Sequence, residues 1–400
     1  MPKAERKIID WFIHRKNILF FLVITCFAVI ARIGALDHVT RDMELCLIPW
    51  ADAFRAKGGF GAMREQIGDY NILYQTIIIL LLNLPGSMVH LYKYVSIVFD
   101  FLLALGCASV IAKETGTERF GFRFNAAYLA VIFLPTVFLN SAVWGQCDSM
   151  YAFLCGVSLY TLYKERYVFS FVILGFALAL KLQTVFVIPV YIYVYICRKN
   201  FSLLSFLITL GVLWATGIPA YLQGRPLTTV LDIYLLQMRE YAGMTFNGTT
   251  FWMLFFPDYQ SMHTCAILVT ILILGMFLYG YLSKGMVLRE SFTGFLTVAA
   301  WTAWTCVLFL PGMHERYTYL TEILLVGLSL CAAEFWPYAV ICEGISGITY
   351  THYLEGYLFG DAIPFLSIFA VAAWLCFTFR KLPLCLTESE KSEAEAAESA

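Results

Sequence analysis

Long apolar runs, separated by short polar or basic breaks, set the pattern of this chain. They recur about every 25 to 40 residues, and a membrane-spanning helix needs roughly 20. The pattern predicts spans near residues 17–36, 91–112, 124–141, 149–163, 168–181, 183–197, 201–222, 263–283, 291–310, 317–334, 336–351 and 362–380. The polar triplet Lys181-Leu182-Gln183 breaks the apolar run 168–197 midway and divides it into two helices. The run Ile72–Leu84 stops at Pro85-Gly86 after about 13 residues, a length that suits an interfacial or re-entrant helix better than a span. Before it, residues 44–67 alternate apolar and charged positions as amphipathic surface helices, interrupted at Gly58-Gly59.

Composition agrees with this reading. Apolar residues make up 60% of the chain and charged residues 14%, against about a quarter charged in soluble domains. The fold class is therefore all-α: a polytopic integral membrane protein with about twelve spans. Residues 1–385 read as one transmembrane domain without internal repeat or soluble module, and the acidic, alanine-rich stretch 386–400 as a disordered cytoplasmic tail. Basic residues gather in short loops such as Lys164–Arg166 and Arg198-Lys199, which places both termini in the cytoplasm and loops 37–90 and 223–262 outside. The basic start and the apolar stretch from Asn17 lack a small-residue cleavage site and read as a retained first helix.

A net charge of −1 leaves no basic stripe for nucleic acid. Twelve cysteines, mostly within spans, show no CxxC or Cys/His spacing and indicate neither zinc nor a disulfide framework.

What remains polar falls into a few short motifs, and ionisable groups beside hydrocarbon are costly enough to mark function. Asp42 and Glu44 follow the first span at its outer edge. A partly desolvated carboxylate there suits general-base catalysis, while the plain alternative is a solvated loop acid. Asp69 serves equally as a helix N-cap or as a ligand group. In Trp144–Ser149, Gly145 permits a tight turn and Asp148 can cap the next helix, but Gln146 has no such structural reason and points to a ligand. Lys181 at a mid-span break offers an anionic ligand its charge, or snorkels to the interface. Arg316 presents a planar fork suited to phosphate beside His314, with a local Glu315–Arg316 pair as the alternative. Arg32 is a second phosphate contact or an anchor, and without a second histidine nearby no metal site is expected.

At these motifs the chain resembles the GT-C superfamily of lipid-phosphate-sugar-dependent glycosyltransferases. Asp42-Met43-Glu44 with Trp50 is similar to the acidic first outer loop that carries the catalytic aspartate. Asp69-Tyr70-Asn71 resembles the Asp-Tyr-Pro-Pro element of the ER glucosyltransferases that extend dolichol-linked oligosaccharide, with Ile72-Leu73 in place of the prolines. Trp144–Ser149, Lys181-Leu182-Gln183 and His314–Tyr317 are similar to motifs of bacterial relatives of the GPI-anchor mannosyltransferases, as are Tyr234, Gln237 and Asn247 in the second outer loop. Arg41 stands where a glycine is common before the aspartate.

The resemblance implies transfer of a hexose, mannose or glucose, from a polyprenyl-phosphate sugar to an extracytoplasmic glycan or lipid-linked acceptor. It implies an inverting reaction without a cofactor, and the short loops and the missing retention signal point to a bacterial plasma membrane. Asp42 and Glu44 would be catalytic, and Asp69, Tyr70, Gln146 and Asp148 would position the acceptor. Lys181, Gln183, His314, Arg316 and Arg32 would bind the donor phosphate, and Tyr234, Gln237 and Asn247 would touch substrate from the outer loop. The alternative is a membrane transporter or lipid flippase, which should carry an inverted repeat and broken helices in both halves.

Overall fold

The computed structural model describes residues 2–283, 286–288, 291–356 and 360–388. Helices follow one another almost without interruption. In chain order they are α1 (Lys3–Gly34), α2 (Ile48–Ala56), α3 (Ile72–Leu81), α4 (Met88–Glu114), α5 (Phe122–Ile132), α6 (Pro135–Phe138), α7 (Asp148–Tyr163), α8 (Tyr167–Leu180) and α9 (Ile188–Arg198). The second half adds α10 (Phe206–Thr216), α11 (Ile218–Tyr221), α12 (Thr229–Glu240), α13 (Tyr259–Leu282), α14 (Phe292–Phe309), α15 (Tyr319–Cys331), α16 (Trp336–Leu354) and α17 (Ile363–Arg380). Strands are minimal: β1 (Thr245–Phe246), β2 (Met286–Leu288), β3 (Met313–His314) and β4 (Leu386–Glu388). β1 pairs parallel with β3, and β2 antiparallel with β4.

Five of these helices are long and apolar enough to cross a membrane by length and composition: those of α1, α4, α13, α14 and α17. The bent pair α5–α6 makes a sixth if it counts as one span. The remaining expected spans are present as helices, and all but the 19-residue α16 are shorter than these. The chain breaks the 168–197 run at Lys181, whose extended backbone ends α8 before a 3₁₀ turn, Leu182–Val187, leads into α9. Pro135 follows a 53° bend between α5 and α6, as a residue that removes a backbone donor does inside a helical run. At that bend Thr136 Oγ1 lies 2.6 Å from Glu322 Oε2 and 3.0 Å from Glu343 Oε2, tying α6 to α15 and α16.

Helix α3 has ten residues, about 15 Å at 1.5 Å per residue, half the thickness of a hydrocarbon core of about 30 Å. Preceding it, α2 and a 3₁₀ turn, Gly59–Arg64, meet at Gly58 and Gly59, whose φ angles of 81° and 66° lie in the left-handed region. Exposed apolar side chains cover α1 and α13, while α14 is buried along almost its whole length among α13, α15 and α17. The first half packs chiefly as α4 on α5 and α7, and α8 on α7 and α10. Of the expected acidic tail, Leu386–Glu388 form β4, and 389–400 lie outside the described residues.

Candidate active site

The end of α1 is held by a lysine from the next long helix. Lys93 Nζ donates to the carbonyls of Ala35, Leu36 and His38 at 2.8, 3.1 and 2.5 Å. These include carbonyls that a helix C-terminus leaves without partners. The chain then turns through Thr40 into a π-helical turn, Met43–Leu47, with Asp42 at its head. Three donors converge on the Asp42 carboxylate: Trp144 Nε1 at 2.9 Å and Gln146 Nε2 at 3.2 Å on Oδ2, and the Tyr353 hydroxyl at 2.5 Å on Oδ1. The ring of Tyr353 stacks on Trp144 at 4.8 Å. Gln146 Oε1 in turn accepts from the Tyr70 hydroxyl at 2.8 Å, so loops 37–42, 68–71 and 144–148 form one network.

Asp148 opens α7 but does not cap it. Its carboxylate takes Lys181 Nζ at 2.5 Å on one oxygen and Asn140 Nδ2 at 2.7 Å on the other. Arg316 Nε stands 3.9 Å from the same carboxylate, and its guanidinium lies 5.2 Å from the Trp144 ring centre. Arg316 also pairs with Glu315 at 3.3 Å. Burial pushes the Glu315 carboxyl up to about 7, against the opposing pull of Arg316. At α3 the capping residue is Asn71, whose side chain accepts from Ile72 N at 2.8 Å. Asp69 is thereby free of that duty. Its Oδ2 accepts from Tyr241 at 2.8 Å, its carbonyl accepts from Gln237, and its buried Oδ1 has no partner among the described residues.

A cavity of about 600 Å³ opens beside these groups. Asp69, Tyr70, Lys181, Gln183, Tyr241 and Arg316 supply its polar wall. Leu180, Leu182, Val185, Phe186, Ile267 and Leu310 supply an apolar one. Asp42, Gln146 and Asp148 sit behind Tyr70, Lys181 and Arg316 rather than in the lining. Gly68, at φ 71°, lets the Asp69 loop close on Trp50: a Cβ there would come within 2.5 Å of the indole.

Four expected site residues lie elsewhere. Arg32 is not a cavity residue. Its guanidinium is buried, bonded to Asp100 at 2.9 and 3.0 Å and to the Ile132 carbonyl at 2.9 Å, which consumes the fork that a phosphate would need. Glu44 is exposed and makes no side-chain hydrogen bond among the described residues. The Tyr234 hydroxyl is spent on the Leu178 carbonyl. Asn247 works through its backbone, at φ 58°, bridged to His314. His314 borders the site differently than expected. Its ring stacks on Phe246 at 4.7 Å, and burial, with the charges of Arg316 and Lys181, holds its pKa well below the usual range. A neutral imidazole brings no positive charge to a phosphate.

Tyr353 and Tyr241 are site groups that motif reasoning passed over. Tyr353 lies near the end of an apolar helix, where an aromatic residue reads as packing, and only the fold brings it to Asp42.

Residues 70–243 match the family model of glycosyltransferase family 87. This segment runs from Tyr70 through Gln146, Asp148 and Lys181 to Tyr241. No curated protein matches the chain. The family match supports a GT-C glycosyltransferase.

Proposed function

We propose, on the premise that this chain is a membrane glycosyltransferase, that it moves a hexose, mannose or glucose, from a polyprenyl-phosphate sugar to a glycan or lipid-linked acceptor on the extracytoplasmic side. The observation carrying this reading is the pairing of two cations with an apolar wall in one cavity. Lys181 and Arg316 meet the cavity beside Leu180, Leu182, Val185 and Phe186. Such a lining fits a ligand with an anionic head and a hydrocarbon tail, and guanidinium and ammonium groups are the usual phosphate partners. Nucleotide sugars are made in the cytoplasm. A site on the opposite side therefore needs its sugar delivered on a lipid.

In the proposed reaction an acceptor hydroxyl attacks the anomeric carbon as the bond to the phosphate oxygen breaks, inverting the centre. Asp42 takes the hydroxyl proton. A carboxylate has about four lone-pair positions, and three donors hold Asp42 in place, which leaves one for the proton. The departing phosphate carries its charge to Arg316 and Lys181, where preorganised positive charge acts most strongly. The scheme requires no metal, because phosphate is already a competent leaving group. Gln183 lines the donor cavity, and Gln146 and Tyr70 orient Asp42. Glu44, Arg32, Tyr234 and Asn247 have no part in the step.

Transfer by the purified Asp42→Asn variant tests this. Loss of a general base costs roughly 10²- to 10⁴-fold in rate, so turnover falls by that much while the thermal midpoint and donor binding hold. Wild-type turnover in a folded Asp42→Asn protein would remove Asp42 from the mechanism.

A further inference from the structure

We propose that a second, smaller cavity is the acceptor subsite, that it takes a saccharide, and that Asp69 is the wall it shares with the donor cavity. The word acceptor rests on the reading above; the saccharide site itself does not. The second cavity measures about 400 Å³, within the range of small-molecule sites of about 300–1,000 Å³. Asp69, Gln237 and Arg239 line both cavities. The two cavities therefore adjoin at these three side chains.

The chemistry of the second cavity suits sugar hydroxyls, which both donate and accept. The Gln237 amide and the Arg239 guanidinium donate, and the Asp69 and Glu240 carboxylates accept. Leu236 adds an apolar surface for the C–H face of a pyranose ring. Neither Arg239 nor Glu240 has a side-chain hydrogen bond or ion pair among the described residues, so both are available to a ligand.

One atom makes the site more than a collection of surface side chains. Asp69 Oδ1 is buried and has no hydrogen-bond partner among the described residues, while Oδ2 is held by Tyr241. A buried carboxylate oxygen without a donor is costly and calls for a partner. Oδ1 is covered as it stands, and a saccharide hydroxyl supplies the partner once the Asp69 side chain turns toward the cavity. The wall behind is rigid: Gln66 donates to the carbonyls of Gly68 and Tyr70 at 2.7 and 3.1 Å and accepts from Gln75 at 3.0 Å. Asp69 thus grips the acceptor where the two cavities meet.

The test uses the full chain in lipid nanodiscs. Leu236 is exposed, so Leu236→Cys should fold, and its reaction with a membrane-impermeant methanethiosulfonate is followed by peptide mass. Octyl α-mannoside and octyl β-glucoside are the probes, with octanol as the tail-only control. At least one glycoside is expected to slow labelling, octanol is not, and adding Asp69→Asn weakens the protection. Labelling untouched by both glycosides, or slowed equally by octanol, overturns the proposal. In the transfer assay Leu236→Trp raises the acceptor KM by about tenfold, a loss of about 1.4 kcal/mol, and leaves donor KM unchanged. A raised donor KM with unchanged acceptor KM overturns it. Protection without any transfer from a polyprenyl-phosphate sugar keeps the saccharide site and removes the enzymatic reading instead.

Discussion

Two arginines that look alike in the sequence have different fates in the fold. Arg316 reaches the cavity, and Arg32 is locked to Asp100 inside the bundle. Removing one partner of a buried pair costs about 3–5 kcal/mol, while replacing both with apolar residues can be neutral. Arg32→Met therefore lowers the unfolding midpoint sharply, and Arg32→Met with Asp100→Leu restores most of it. In both variants the donor KM of the folded fraction stays at the wild-type value. A raised donor KM in the restored double variant would show that Arg32 does contact donor. A second residue-scale expectation follows from Glu315. Below about 7, where its carboxyl is protonated, Arg316 keeps only the more distant Asp148 carboxylate, at 3.9 Å, as a counter-charge and holds phosphate more tightly. As pH rises through that value Glu315 ionises, pairs with Arg316 and weakens the hold. The donor KM of the wild type accordingly rises across neutrality, whereas that of Glu315→Gln stays low and flat. A KM rise of equal size in Glu315→Gln would place the titration elsewhere.

Elements divide by how much of their purpose a linear pattern can hold. The break at Lys181, the short α3 and the hinge at Gly58-Gly59 were all legible, because each is a local interruption of periodicity. The Asp148–Lys181 pair, Asn71 as the α3 cap and the approach of Tyr353 to Asp42 were not. They depend on which helices meet, and neighbouring apolar helices look alike in sequence. The buried Glu322 and the half-buried Glu343 were missed for the same reason, each being a single acid inside an apolar run. Glycines offer a clean comparison within the segment between α1 and α4. Gly58 and Gly68 both have positive φ, but an added Cβ meets nothing at Gly58 and strikes Trp50 at Gly68. Gly58→Ala is expected to cost about 1 kcal/mol, the strain of an unfavourable φ alone. Gly68→Ala should cost more and also cut transfer, since Asp69 moves with the loop. Thermal melting together with turnover checks both, and equal losses in the two variants would contradict the packing argument.

For the molecule as a whole, motifs from five separate regions come together although 274 positions separate Asp42 from Arg316. Trp144 joins them, its indole nitrogen on Asp42 and its ring beside Arg316. The family match begins at Tyr70 and ends at Gly243, leaving Asp42, Arg316 and Tyr353 outside it. These three residues meet the matched segment side chain to side chain, Asp42 at Trp144 and Gln146, Arg316 at Asp148 and Tyr353 at Trp144. The account stands or falls on what carries the sugar to this assembly. The most direct measurement offers the purified protein, in nanodiscs, radiolabelled hexose on a polyprenyl phosphate and, separately, the same hexose on a nucleoside diphosphate. The expected result is labelled product from the lipid donor alone, abolished in Arg316→Ala. Product from the nucleotide sugar, with none from the lipid donor, would contradict the account.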